Sequence, residues 1–290
     1  MVPILLTCLT ARARTIFAVL FILLISACSF KTLYNQLDYL IPSYVEGLVS
    51  LDDILEEKVE QRTDVILSWH RNTQLTQYAD LLRTFQQDLE SPLNEKRVLQ
   101  HMATMQLLWQ SLEVKLNKEM AELLPLLNSE QRAQLFDSID HKNEDFYDEY
   151  VDLDDDERIE QYIETMIDSY ENWLGYLTAG QEQAVVKAAA ELNSSAALRL
   201  QQRRLWQRSI QQILDSDDAE VIRTERLQNF FDSFNSNAQP QLTAVLEANK
   251  TILARLTVAI SNQLTADQSL YFKNRSDEYI QIFSELAENR

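Results

Sequence analysis

The sequence predicts an all-α protein, an elongated bundle of about eight helices. Three observations lead there. The chain of 290 residues holds only 3 Gly and 5 Pro, so the residues that supply turns, bulges and helix breaks are scarce. Hydrophobic residues make up 46% of the chain. They recur at three- and four-residue spacing over long stretches, with no competing alternation of the kind a strand requires. Leu, Ala, Gln and Glu, all strong helix formers, dominate the composition. Helices with one apolar face must cover that face with one another, hence a bundle.

Residues 1–27 differ from the rest. Arg12 and Arg14 are their only charges, and the apolar run from Ile16 to Ile25 is short for a membrane span. Small residues, Ser26 and Ala27, precede Cys28. Basic, apolar, small is the order of a secretory signal. The segment Leu24-Ile25-Ser26-Ala27-Cys28 resembles the lipobox of bacterial lipoproteins. That resemblance implies removal of residues 1–27 and acylation of Cys28. Residues 28–50 then form a lipidated N-terminus and tether, and residues 51–290 a helical domain with room for two halves. The alternative is an uncleaved anchor with an incidental cysteine. By resemblance to proteobacterial lipoprotein sorting, Ser29 rather than Asp after the cysteine implies the outer membrane, with the body facing the periplasm. Acyl chains would hold it there, at about 0.8 kcal/mol per buried CH₂. Cys8 leaves with the signal and Cys28 is blocked, so the body has no thiol for a disulfide or a metal.

The formal net charge is −19, and losing Arg12 and Arg14 takes the body to −21. Such a surface repels phosphate backbones, which excludes nucleic acid as a partner.

The elements follow in order. Residues 29–50 carry Leu33, Leu37 and Leu40–Ile41 at helical spacing, and Pro42 is expected to stop that turn. Asp52–Asp53 opens a long helix with an apolar stripe at Leu51, Ile54–Leu55, Val59, Val65–Ile66 and Trp69, continuing through Tyr78, Leu82, Phe85 and Leu89 until Ser91-Pro92. A second helix covers about 93–124, from Leu99 past Trp109 to Leu123, and Pro125 breaks it. The third and fourth cover roughly 129–150 and 154–175, and the fifth runs from Gly180 to Leu214. The sixth starts at Ser216-Asp217-Asp218 and passes Phe230, Phe231 and Phe234. The seventh has Pro240 in its first turn and ends near Leu264; the eighth fills the C-terminus. A short echo links Val49-x-Leu51-Asp52-Asp53 to Val151-x-Leu153-Asp154-Asp155.

One pattern occurs three times where a helix begins: Leu127-Asn128-Ser129-Glu130-Gln131, Leu177-Thr178-Ala179-Gly180-Gln181 and Leu264-Thr265-Ala266-Asp267-Gln268. It reads as a capping box: the Asn or Thr side chain accepts from the N3 amide, and the Gln reaches back to the cap amide. The partner that usually pairs with the preceding Leu is missing, since Arg132, Glu182 and Ser269 stand there, so each Leu is expected to pack on another helix. The pattern resembles the Leu-Thr-x-x-Gln motif of Spy/CpxP periplasmic proteins, small all-α chaperones or stress adaptors. This chain departs from them in length, lipid anchor and acidity, and Asn128 replaces Thr in the first copy. Tyr34-Asn35-Gln36-Leu37-Asp38 with Trp69-His70-Arg71, Gln74-Leu75 and Tyr78 is similar to a proteobacterial lipoprotein family of unassigned function, which implies the same all-α body and no site residues.

Other constellations fail on their own chemistry. In the acidic run 144–157, Asp152, Asp154 and Asp156 have EF-hand spacing, but Glu157 stands where the turn glycine belongs and Ile163 where the last carboxylate belongs. Asp154 with Glu157 reads instead as a capping box. His70, His101 and His141 stand singly, without the partner spacing of a metal site. Three glycines cannot build a phosphate loop or a nucleophile elbow. Met102 and Met105 beside Trp109 suit either an adaptable groove or an ordinary core. The expectation is a non-enzymatic lipoprotein without cofactor or metal. Its partners would be the membrane, through the anchor, and a protein partner or clients, in a chaperone-like or envelope-stress role. The alternative is a helical carrier or sensor that holds an apolar ligand between helices.

Overall fold

The computed structural model describes residues 27–233 and 239–288, with side chains from Phe30 onward. Residues 1–26, which carry the expected secretory signal, the side chain of Cys28 and Phe234 lie outside the described residues. The described chain is all-α and contains no strand. Its helices are α1 (Ala27–Tyr34), α2 (Leu37–Glu46), α3 (Asp53–Asp88), α4 (Glu95–Leu123), α5 (Ser129–Tyr150), α6 (Asp155–Leu174), α7 (Ala179–Glu191), α8 (Ala196–Leu214), α9 (Glu220–Asp232), α10 (Pro240–Ser261) and α11 (Ala266–Glu288). That is eleven among the described residues, against about eight expected.

The additional helices have identifiable causes. Pro42 lies inside α2 and is buried there rather than ending it; burial offsets a backbone penalty of about 3 kcal/mol. The long fifth helix is interrupted between Glu191 and Ala196. Asn193, Ser194 and Ser195 favour side-chain competition with the helical backbone, and α10 supplies a substitute. The Asn193 amide donates to Asn249 Oδ1 at 3.0 Å, and Asn249 Nδ2 donates back to the Asn193 carbonyl at 2.8 Å. Asn262, at the far end of α10, clasps Leu93 in the same way, at 2.8 and 2.9 Å, and so holds the α3–α4 loop. The sixth expected helix begins later than Ser216, because Asp218 is taken up by Ser216 and Arg226 and α9 starts at Glu220.

α3 is the spine. Its 36 residues span about 54 Å at 1.5 Å per residue. Its buried positions are Leu55, Val59, Thr63, Leu67, Gln74, Leu75 and Ala79, a four-residue spacing that drifts round the helix. Ile54 and Val65, expected in the stripe, lie on its exposed face. α4 folds back antiparallel on α3, with Asp88 against His101 at 2.7 Å near the loop and Arg62 against Glu119 at 3.0 Å far from it. Burial pushes the Glu119 carboxyl up, but bonds from Lys115 and Arg62 outweigh it and hold the group below its usual range. α11 runs antiparallel on the other side of α3, from Phe85–Phe272 to Leu75 beside Ile282 and Leu286.

Apolar side chains gather in several clusters. One joins α6, α7, α10 and α11 through Leu174, Val185, Ile252, Leu256, Ile260 and Phe272. Another joins α4, α8 and α9 through Ala121, Trp206, Leu214, Leu227 and Phe231. α6 ends at Gly175, the one described residue with positive φ (82°), and the Tyr271 ring lies 3.1 Å from where a Cβ would sit. Glycine is needed there for backbone and for space.

α1 docks on the spine through Tyr34, which is buried with Leu75, Ile282 and Leu286. Its hydroxyl meets His70 Nδ1 at 2.8 Å, and Tyr78 approaches Nε2 at 3.4 Å. Burial holds the His70 pKa at about 4 and pushes Tyr34 up to about 12 against the pull of the neighbouring Arg71. The ring is therefore neutral when folded. Between about 4 and 6.5 the unfolded chain binds the extra proton, so the stabilisation is complete above that window and is lost as pH falls through it. His70→Gln keeps one donor and one acceptor without a titration. Relative to that variant, the wild-type chain should lose on the order of 2 kcal/mol between pH 7 and pH 4. Urea unfolding across that range measures it, and parallel curves for the two proteins would refute the assignment to His70.

Candidate functional site

All three repeated motifs form their reciprocal bonds. Asn128 Oδ1 accepts from the Gln131 amide at 3.0 Å, and Gln131 Oε1 accepts from the Asn128 amide at 3.0 Å. Thr178 and Gln181 do the same at 3.4 and 2.9 Å, and Thr265 and Gln268 at 3.1 and 3.0 Å. The other end of each amide does a second job. Gln131 Nε2 donates to the Ser50 carbonyl at 3.0 Å, pinning the α2–α3 loop. Gln181 and Gln268, both almost wholly buried, face one another. Gln181 Nε2 donates to Gln268 Oε1 at 3.2 Å, and Gln268 Nε2 donates to Gln181 Oε1 at 2.8 Å. Gln268 also reaches the Tyr176 carbonyl at 2.8 Å. The starts of α7 and α11 are thus one joint. Leu127 packs with Val49 and Leu55, and Leu177 in the α6–α7–α10–α11 cluster.

Beside that joint lies an apolar cleft of about 340 Å³. Leu81, Leu82 and Phe85 of α3 form one wall, and Val98, His101, Met102 and Met105 of α4 another. Ser169, Tyr170, Trp173 and Leu174 come from α6; Thr257, Ile260 and Ser261 come from α10. Leu264 and Phe272 close it next to the third capping motif. No Asp, Glu, Lys or Arg is among these lining residues. Polar groups in the cleft are partly occupied by the protein itself. The Tyr170 hydroxyl meets Thr257 Oγ1 at 3.0 Å, and Thr257 donates on to the Leu253 carbonyl at 2.9 Å. Burial pushes the Tyr170 hydroxyl pKa up, with the Thr257 bond pulling the other way. His101 stands edge-on to Phe85, with centroids 5.1 Å apart, and its Nε2 lies 2.7 Å from Asp88 Oδ2. Arg97 Nε holds the same oxygen at 3.0 Å.

Met102 and Met105 are thus cleft residues, with Met105 well exposed at the mouth. Trp109 is elsewhere, donating to Glu113 at 2.6 Å. The acidic run carries a capping box, with Asp154 accepting from the Glu157 amide at 2.9 Å and Glu157 from the Asp154 amide at 3.1 Å. Asp52 caps α3 from the matching place in the echo. Among the described residues no group of three or more His, Cys, Asp or Glu is placed to hold a metal ion. No described helix is long and apolar enough to cross a membrane. His101 and Tyr170 were not distinguishable as cleft residues in sequence, since nothing local marks which stripe residue will face a gap.

Residues 48–231 match a family of unknown function, DUF6279. The chain belongs to that family. The DUF6279 match begins just before α3 and ends within α9, so the α3, α4 and α6 walls of the cleft lie inside it and the α10–α11 wall outside. No curated protein and no solved structure matches the chain.

The glutamine pair predicts a specific double-mutant cycle. Gln181→Leu strands the Gln268 amide and should cost about 1–3 kcal/mol. Gln268→Leu should cost a similar amount. The double variant should cost less than the two added together, by about 1–2 kcal/mol, because both orphaned groups are then gone. Denaturant unfolding of the four proteins measures the coupling, and simple additivity would show that the amides do not stabilise each other.

Proposed function

We propose that this protein is a membrane-held binding protein that receives a small apolar ligand in the cleft between α3, α4, α6, α10 and α11. The observation that carries the reading is the cleft itself. At about 340 Å³ it is more than twice the roughly 150 Å³ of an apolar cavity that admits benzene, and it falls in the range of small-molecule sites. Two methionines at one wall suit an adaptable fit. The large exposed apolar side chains, by contrast, are scattered over most of the helices (Tyr39, Val65, Leu107, Val186, Val221 and Leu270 among them). Single exposed apolar residues are ordinary, so a carrier or sensor role is favoured over a client-binding surface. On this reading the protein binds without reacting.

The membrane attachment belongs to the same proposal. Lys31 of α1 pairs with Glu285 at 2.6 Å, and Phe30 packs on Tyr279 and Phe283. Two residues before Phe30, Cys28 would carry its lipid at the docked end of α1. An acylated Cys28 would then hold the body close to the bilayer, within reach of molecules that partition there.

The neutral fluorescent probe N-phenyl-1-naphthylamine tests the cleft. Energy transfer from tryptophan should report one probe per chain, since Trp173 lines the site. Ser169→Phe, a change at an exposed position on the mouth, should weaken binding about tenfold, or ~1.4 kcal/mol, with the unfolding midpoint unmoved. No saturable transfer in the wild-type chain would end this reading.

A further inference from the structure

We infer that the ligand is a neutral single-chain amphiphile whose head carries a hydroxyl, and that His101 Nδ1 is the atom that receives it. The inference rests on the cleft-binding reading and names its ligand class.

The charge of the head follows from the walls. None of the lining residues is a carboxylate, ammonium or guanidinium, and a charged head buried without a partner is strongly disfavoured. An ionic cluster at the border of the cleft is already matched internally. Asp88 Oδ2 is held by His101 at 2.7 Å and by Arg97 at 3.0 Å. An anionic head would meet that carboxylate and the field of a chain with net charge −19. A cationic head at Asp88 Oδ2 would compete with Arg97 and His101. The tail belongs among the Leu, Met, Phe and Trp side chains that make up most of the lining.

The position of the head follows from the imidazole. His101 lines the cleft, its ring fixed edge-on against Phe85. With Nε2 engaged by Asp88 Oδ2, Nδ1 is the ring nitrogen left for a ligand. The other strong polar pair of the cleft, Tyr170 with Thr257, is engaged within the protein, and the Thr257 hydroxyl is passed on to a backbone carbonyl. A ligand O–H placed at Nδ1 would complete a chain of bonds from ligand through His101 to Asp88 and Arg97. His101 acts here as a specificity-determining residue, selecting a donor over an isostere that lacks one.

The test uses the full-length chain in phosphatidylcholine nanodiscs, with N-phenyl-1-naphthylamine as the reporter and three competitors of equal chain length: 1-decanol, decyl methyl ether and decanoate. The expected result is that decanol displaces the probe about tenfold more effectively than the ether, and decanoate least effectively. His101→Phe should bring decanol down to the affinity of the ether while the ether itself is unchanged. His101→Gln, which can donate to Asp88 and still offer an oxygen, should restore most of the preference, and it serves also if the Phe variant does not fold. Equal affinity of alcohol and ether, or a preference that survives His101→Phe, overturns the role of His101 and leaves the cleft reading standing. Decanoate binding as well as decanol overturns the neutral head. Absence of any saturable probe or competitor binding overturns the cleft reading, and this inference with it.

Discussion

Two glutamine side chains, turned toward each other away from water, form the joint on which the rest of the bundle is registered. Gln181 and Gln268 each complete the first turn of their own helix and then spend the remaining half of the amide on one another. A primary amide is both donor and acceptor, so two of them can close a ring and leave neither end unsatisfied. Satisfaction matters because both are nearly without solvent contact, where an unpaired polar group is expensive. The bonds from Gln268 to the Tyr176 carbonyl and from Gln181 to the Ile260 carbonyl bring the ends of α6 and α10 to the same point. Leu174, Ile260, Leu264 and Phe272 of the cleft all lie within a few residues of it.

The same constraint governs the other joints. A chain with three glycines has few left-handed turns with which to end a helix. Side chains take over unsatisfied backbone groups at helix starts and in loops. Asp52, Asn94, Asn128, Asp154 and Thr178 cap helix starts. Asn249 and Asn262 go further and offer a loop backbone an acceptor and a donor together. α10 thereby fixes the α7–α8 break from its middle and the α3–α4 turn from its C-terminal end. The second of these clasps sits beside Leu89 and Val98, at the edge of the cleft, so the walls are set by hydrogen bonds and the opening is left to apolar side chains.

The polar chemistry of the cleft and of the α1 dock differs in a telling way. At the dock His70 lies between two tyrosine hydroxyls with no carboxylate bonded to it, and burial keeps its ring neutral. At the cleft His101 is bonded to a carboxylate and lines open space. The first arrangement closes α1 onto the spine. The second has a polar atom to offer, and the proposed ligand class follows from that difference together with the absence of charged residues from the lining.

Much of this was legible from the chain alone. Periodicity, helix formers and the scarcity of Gly and Pro settled the all-α class, because those are local backbone preferences. The three capping motifs and the Asp154 box were readable too, since their partners stand three residues apart. The docking of α1, the break at Asn193 and the late start of α9 were not. Two of these rest on a contact from a remote segment, Tyr34 on His70 and Asn249 on Asn193, and the third on Ser216 and Arg226 beside Asp218, which no helix pattern marks. Nor did any local pattern mark Gln181 and Gln268 as partners, 87 residues apart. The cleft is the extreme case. Met102, Tyr170 and Phe272 look in sequence like any stripe residues, and only the packing of five helices decides which apolar side chains meet one another and which face a gap.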